Sequence, residues 1–128
     1  MNIDKANDIV AKGFKYQKEN TDFWRVLDTT KETFSGDCED YGLTVLWLIC
    51  DRNIKKFVDA ILSGKAKLWF CETPYGKHNI LEYDHLFCDN IEKQWKSINY
   101  YAGKDYWFKY THSPYLILYK VAVTSFFS

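Results

Sequence analysis

The segment Ser35-Gly36-Asp37-Cys38-Glu39-Asp40 stands directly before a largely apolar run that extends to about Asp51. The side chain of Asp37 makes this residue a good helix N-cap, and Asp40 lies three residues later, in capping-box position. The pattern therefore predicts a helix that runs from Cys38 to about Asp51. Cys38 is expected in its first turn.

The predicted elements on either side of this helix are helices first and strands afterwards. Apolar residues recur at helical spacing over about residues 3–17 and again over about 53–63, and Gly64 suits the end of the second helix. Short strand-like runs follow at 67–71, 78–83, 86–89 and 106–110. The run 115–127 suits a final strand, with a helix as the alternative. Helices followed by an antiparallel sheet define an α+β fold class.

Composition indicates one domain covering residues 1–128, since the 128 residues are 47% hydrophobic. Lys plus Arg and Asp plus Glu number 17 each, so no global charge would attract nucleic acid or an anionic membrane. No apolar run reaches the roughly 18 residues that span a bilayer, and the charged amino terminus is unlike a secretory signal. We therefore expect a soluble cytoplasmic protein whose four cysteines are free thiols.

Cys38 is the candidate nucleophile, because a thiol attacks as the thiolate and the first turn of a helix favours that anion. The same placement provides a backbone N–H of Cys38 that could hold an oxyanion during acyl transfer. Asp37, Glu39 and Asp40 oppose this, since like charges raise the pKa of a thiol. The nucleophile is therefore expected to depend on a histidine.

Histidines stand at positions 78, 85 and 112, and a hairpin argument selects the first. If the runs 78–83 and 86–89 pair across a two-residue loop at Tyr83-Asp84, then residue 78 lies opposite 89, 80 opposite 87 and 82 opposite 85. Directly opposed side chains lie close enough for Asp89 to accept the imidazole N–H of His78. A loop of odd length would move Asp89 to the other face.

These residues resemble the bacterial transglutaminase-like cysteine proteinases, a branch of the transglutaminase-like superfamily. The nucleophile motif is Gly36-Asp37-Cys38-Glu39-Asp40-Tyr41, and His78-Asn79-Ile80-Leu81 and Asp89-Asn90 match the later histidine and aspartate strands. Phe14-Lys15-Tyr16 and Asp22-Phe23-Trp24 extend the resemblance to about residues 9–92. Departures are Gly42 where alanine is usual, the short chain, and a C-terminal third after about Trp95 that does not align.

The resemblance implies a papain-like fold with the active-site helix packed on an antiparallel sheet. It also implies amide hydrolysis of a protein or peptide substrate through a thioester, with Cys38, His78 and Asp89 as the triad. Water or an amine could resolve the thioester, so an acyl transferase is the related alternative. No cofactor is required. Some exported members bind calcium through acidic residues beside the nucleophile, and Glu39 and Asp40 match those positions.

Several other interpretations of the same residues stay open. The chain could be a catalytically silent, protein-binding or inhibitory module with the same fold, and small chains of this kind are common in viral and phage genomes. Trp24 could line the cleft, donate to an oxyanion or lie in the core. The spacing of Cys71, His78, His85 and Cys88 matches no common zinc finger. The aromatic and lysine residues of 100–110 favour a sheet core over a nucleic-acid surface.

Overall fold

Five helices and a four-stranded antiparallel sheet form the mixed α/β fold of residues 1–18 and 24–127, the part of the chain that the computed structural model describes. A short parallel pair of strands lies beside them. The elements in chain order are α1 (Ile3–Gly13), β1 (Phe14–Tyr16), β2 (Phe34–Gly36), α2 (Cys38–Ile49), α3 (Ile54–Leu62), β3 (Ala66–Thr73), β4 (Gly76–Tyr83), β5 (Leu86–Cys88), α4 (Ile98–Ala102), β6 (Trp107–Thr111) and α5 (Pro114–Phe127).

Helix α2 begins where the sequence predicts. Asp37 is its N-cap, and the capping box is complete, since Asp37 accepts a backbone N–H of the first turn and Asp40 Oδ2 accepts the backbone N–H of Asp37 at 3.0 Å. Nearly every residue of the helix is buried, because α2 lies in the main core between α1 and the sheet. The predicted start and near-complete length of this helix are confirmed.

Gly42 allows α2 to lie close against β4. A β-carbon at this position would come within 3.1 Å of Leu81 Cβ and 3.5 Å of Leu68 Cδ1. The small residue therefore sets the distance between the helix that begins at Cys38 and the strand that holds His78.

We expect Gly42→Val to lower the free energy of unfolding by about 2 kcal/mol, because extra carbons in a filled core force side chains or backbone to shift. Denaturation in urea, followed by circular dichroism, measures the change. Gly103→Val is the matched control, since a β-carbon there meets its nearest atoms at 3.6 and 3.7 Å, which is ordinary contact. Equal stability of the two variants would contradict the close approach.

The strand order of the main sheet is β5-β4-β3-β6, and all neighbours are antiparallel. Strands β4 and β5 are joined by Asp84-His85, both with positive φ (50° and 70°), as a tight two-residue hairpin turn requires. Tyr83 therefore pairs with Leu86. The predicted turn at Tyr83-Asp84, and the direct opposition of residues 78 and 89, are wrong.

The connection nevertheless has an even number of residues, so the faces of the two strands are as predicted. Leu81 lies opposite Cys88, which places the next position, Asp89, beside Ile80. His78 is two residues from Ile80 and shares its face, so His78 and Asp89 are diagonal neighbours, close enough for long side chains to meet.

Several segments differ from the sequence predictions. The first helix ends at Gly13 instead of about residue 17, because Phe14–Tyr16 forms β1 and pairs in parallel with β2. The last segment is a helix, not a strand, and it buries Ile117 and Val121, one turn apart, in the main core. The short helix α4 was not predicted. Asp22 and Phe23 of the resemblance lie outside the described residues.

All four cysteines are buried free thiols, as predicted. Within residues 1–18 and 24–127, no helix combines the length and the apolar content that crossing a bilayer requires.

Candidate active site

A cleft of about 500 Å³ opens at the start of α2. Cys38 lies on its wall at the first turn of the helix, and strand β4 contributes His78 and Asn79. The remaining lining residues are mainly acidic, basic or aromatic: Tyr16, Lys18, Trp24, Asp37, Glu39, Phe70, Lys77, Tyr110, His112 and Lys120. The cleft thus places one thiol and two imidazoles around a single space.

The Cys38 thiol, in a residue only 8% exposed, is turned toward Glu39. Sγ donates to Glu39 Oε2 at 3.2 Å, and Asn79 Nδ2 approaches Sγ at 3.7 Å. Burial, followed by the charges of Glu39 and Asp37, raises the pKa of the Cys38 thiol far above its usual range. Burial also raises the pKa of Glu39. At neutral pH the resting nucleophile is therefore a thiol and not a thiolate.

The backbone N–H of Cys38, the expected oxyanion donor, is already engaged. It donates to Asp37 Oδ1 at 2.8 Å. An oxyanion formed at Cys38 would compete with a carboxylate for this N–H, so the helix start alone does not provide the donor that the sequence suggested.

His78 and Asp89 form a buried pair, with His78 Nε2 and Asp89 Oδ2 2.7 Å apart. The other carboxylate oxygen accepts the backbone N–H of Glu92 at 2.9 Å and lies 3.4 Å from the hydroxyl of Tyr101. Because a carboxylate accepts, Nε2 carries the proton and Nδ1 is the basic nitrogen of the neutral ring. The predicted contact between His78 and Asp89 is confirmed, although it is diagonal.

Cys38 and His78 both line the cleft, but their side chains are not hydrogen-bonded to each other. Among the described residues, no hydrogen bond links Cys38 Sγ to either ring nitrogen of His78. Successive strand residues point to opposite faces, and Asn79, not His78, is on the face nearest Cys38. The ladder between β4 and β5 ends at Leu81, so residues 78–80 lie beyond it, and both His78 and Asn79 line the cleft.

Asn79 and His112 are site residues that sequence reasoning did not identify. Asn79 Oδ1 lies 2.8 Å from His112 Nε2, while Asn79 Nδ2 lies 3.4 Å from Glu39 Oε2. Asn79 follows His78 in the family-like motif, which was a usable signal. No sequence signal pointed to His112, because the position of His112 depends on how β6 pairs with β3, which is far away in the chain.

Trp24 is both a buried residue, 3% exposed, and part of the cleft wall. Its ring meets the His112 ring edge to face at 4.8 Å, and the Lys120 ammonium lies 4.4 Å from the ring centre. These contacts place Trp24 against His112. Trp24 is therefore a core residue that also lines the cleft.

Possible metal ligands are arranged differently from the sequence expectations. The described residues contain one cluster, Asp37, Cys38 and Glu39, whose ligand atoms lie within 4.8 Å of one another. Asp40 is not part of it, because its oxygens accept the backbone N–H groups of Arg25 and Asp37. The predicted calcium pair, Glu39 and Asp40, is thus divided between two surroundings.

The four residues considered for zinc are likewise not gathered into a ligand cluster in the described part of the chain. His85 is at the hairpin turn with its side chain 93% exposed, whereas Cys88 is fully buried. Cys71 and His78 are paired across β3 and β4.

We expect Glu39→Gln to speed alkylation of Cys38 by iodoacetamide about 10-fold at pH 7.5. Glu39 disfavours the thiolate, so its neutralisation lowers the thiol pKa, and one pKa unit is a tenfold change in thiolate population. The pH at which the rate levels off should fall accordingly. Peptide mapping measures the rate at Cys38, with Glu72→Gln on the exposed face of β3 as the control. An unchanged rate would show that Glu39 does not control the thiol.

Comparisons with known proteins returned no matching family model, no matching curated protein and no matching solved structure.

Proposed function

We propose that this protein is a cysteine-dependent amide hydrolase of the transglutaminase-like, papain-like kind, with Cys38 as nucleophile, His78 as base and Asp89 as the group that orients the base. One observation carries the proposal. The first-turn cysteine of a capped helix lines a cleft together with a histidine whose Nε2 is held at 2.7 Å by a buried aspartate. This is the composition of a Cys-His-Asp site.

The proposed reaction requires Sγ of Cys38 to leave Glu39 and to meet Nδ1 of His78 across the cleft that both residues line. The sulfur attacks the substrate carbonyl carbon while the thiol proton passes to Nδ1 and the carbonyl electrons move to oxygen. Collapse of this intermediate restores the carbonyl and expels the amine, which takes the proton from His78. Water, deprotonated by His78, then attacks the thioester carbonyl; the C–S bond breaks, the acid leaves, and His78 returns the proton to Sγ of Cys38.

The fold and the cleft support a peptide or protein substrate. Helix α2 packs on an antiparallel sheet, which supports the papain-like core that the family resemblance implies. The cleft is lined by the partly buried Phe70 and the exposed Tyr110, whose rings stack on each other. Flat aromatic surfaces next to charged groups suit an extended polypeptide with mixed side chains.

A second candidate function, the silent binding module, is favoured by one observation. The Cys38 thiol is hydrogen-bonded to Glu39, and the pKa of the thiol is raised. The resting site therefore lacks the thiolate that free cysteine proteases display. Under this alternative the cleft would hold a protein segment without cleaving it.

Turnover separates the two candidates. A quenched fluorescent peptide library of mixed sequence, offered with and without a fluorescent alkylamine, measures hydrolysis and amine transfer together. We expect peptide cleavage by the wild type and none by Cys38→Ala. Incorporation of the amine without cleavage would identify the transferase. Neither reaction, together with unaltered binding of library peptides by Cys38→Ala, would favour the binding module.

A further inference from the structure

We infer that the side-chain amide of Asn79 is the oxyanion donor of this site and that His112 holds the amide in the donating orientation. The inference rests on the proposed acyl-transfer function and adds two residues to it. The tetrahedral intermediate at Cys38 carries a negative oxygen that needs hydrogen-bond donors about 3 Å away.

The orientation of Asn79 follows from its neighbours. Glu39 Oε2 accepts hydrogen bonds, so the amide group 3.4 Å from it is the NH₂ and not the carbonyl. The carbonyl oxygen then faces His112 at 2.8 Å, which requires His112 to donate through Nε2–H. Each end of the amide thus has a partner of the correct polarity, and Nδ2 is directed at the thiol.

The position of Nδ2 suits a donor to the reacting centre. It lies 3.7 Å from Sγ, and a carbonyl carbon bonded to that sulfur would bring its oxygen into the same space. The amide protons of Asn79 are directed at the space beside Cys38 and Glu39, where an oxyanion formed on this sulfur would lie. The backbone N–H of Cys38 is held by Asp37 at 2.8 Å, so Asn79 is the better placed donor.

His112 strengthens this donor by bonding to the amide oxygen. A hydrogen bond to a carbonyl polarises the amide and makes its N–H groups better donors. Trp24 packs edge to face on the imidazole at 4.8 Å and limits its rotation. His112 is therefore a positioning residue, whereas Asn79 contacts the reacting atoms.

Two reagents together separate the contribution of the oxyanion donor from the reactivity of the thiol. Acetylation of Cys38 by p-nitrophenyl acetate passes through an oxyanion: sulfur bonds to the acetyl carbon and p-nitrophenolate leaves. Alkylation by iodoacetamide displaces iodide at a saturated carbon and forms no oxyanion. Both reactions require loss of the same thiol proton, so the ratio of their rate constants reports the oxyanion donor. Mass spectrometry of the Cys38 peptide measures both rates.

We expect Asn79→Ala to lower acetylation about 10²-fold relative to alkylation, the loss typical of one oxyanion donor. Asn79→Leu, which keeps a side chain of similar volume, should lower the same ratio to the same extent. It replaces the alanine variant if that variant lacks a cooperative thermal transition. Asn99→Ala, an exposed asparagine on α4, is the control. If both reactions slow equally, or neither slows, while acetylation of the wild type still requires His78, the inference fails and the proposed function stands. Absence of Cys38 acetylation in the wild type would overturn both.

His112 variants test the positioning role. Glutamine retains an N–H donor but cannot act as a base, so His112→Gln should keep the ratio within about threefold, while His112→Phe should lower it about 10-fold. Equal losses of the acetylation rate itself in the two variants, with the ratio unchanged, would instead assign His112 as the base and overturn its positioning role. His85→Gln, at the exposed hairpin turn, is the control.

Discussion

Replacing His78 by alanine should lower the second-order rate constant for acetylation of Cys38 by p-nitrophenyl acetate about 10³-fold. The Cys38 thiol is neutral at rest, because burial and Glu39 raise its pKa, so attack depends on a base that takes the proton in the transition state. A positioned general base contributes about 10²- to 10⁴-fold, and 10³-fold corresponds to about 4 kcal/mol of barrier.

Stopped-flow absorbance of p-nitrophenolate, with mass spectrometry of the Cys38 peptide, provides the measurement. His85→Ala is the matched control, because His85 is 93% exposed at the hairpin turn and lines no part of the cleft. A His78→Ala rate within threefold of wild type would remove His78 from the mechanism. The binding-module function would then be the stronger candidate.

Asp40→Ala should destabilise the fold by about 3 kcal/mol and lower the melting temperature by about 10 °C. Asp40 is fully buried, and its carboxylate accepts the backbone N–H of Arg25 at 2.8 Å and of Asp37 at 3.0 Å, with the Arg25 guanidinium 3.5 Å away. Its removal leaves two backbone donors without this acceptor and opens the capping box of α2.

Thermal and urea unfolding, followed by far-ultraviolet circular dichroism, measure this loss. Asp59→Ala is the control, since Asp59 is an exposed aspartate on α3 whose ion pair with Lys55 four residues earlier contributes little. A loss below 1 kcal/mol for Asp40→Ala would contradict the structural role that we assign to this carboxylate.

Local features of the chain were predictable because they depend on neighbouring residues. The capping box at Asp37 needs only four positions of sequence, and the end of α3 near Gly64, with φ of +81°, follows from the freedom of glycine. The meeting of His78 with Asp89 required only an even hairpin connection, so it was predicted correctly despite the wrong pairing.

The errors arose where tertiary contacts override local preference. Asp84-His85 adopts positive φ at both residues without a glycine or an asparagine to mark the turn, so the turn could not be located from the sequence. The segment 114–127 has residues suited to either period, and packing of Ile117 and Val121 into the core decides for a helix.

The protonation state of the Cys38 thiol also could not be fully predicted from the sequence. The acidic neighbours were recognised as unfavourable for the thiolate, but the hydrogen bond from Sγ to Glu39 depends on the orientation of both side chains. The same holds for the approach of Asn79 and His112, which comes from strands far apart in the chain. Those two contacts change the expected oxyanion donor from the helix backbone to a side chain.

The most direct test of the central claim is the location of the acetyl group after brief reaction of the native protein with p-nitrophenyl acetate, determined by intact mass and peptide mapping. We predict one acetyl group, carried by Cys38 in the wild type and lost on treatment with hydroxylamine, and none over the same time in His78→Ala. Acetylation of Cys50, Cys71 or Cys88 instead, or of Cys38 to the same extent in His78→Ala, would contradict the assignment of Cys38 and His78 as nucleophile and base.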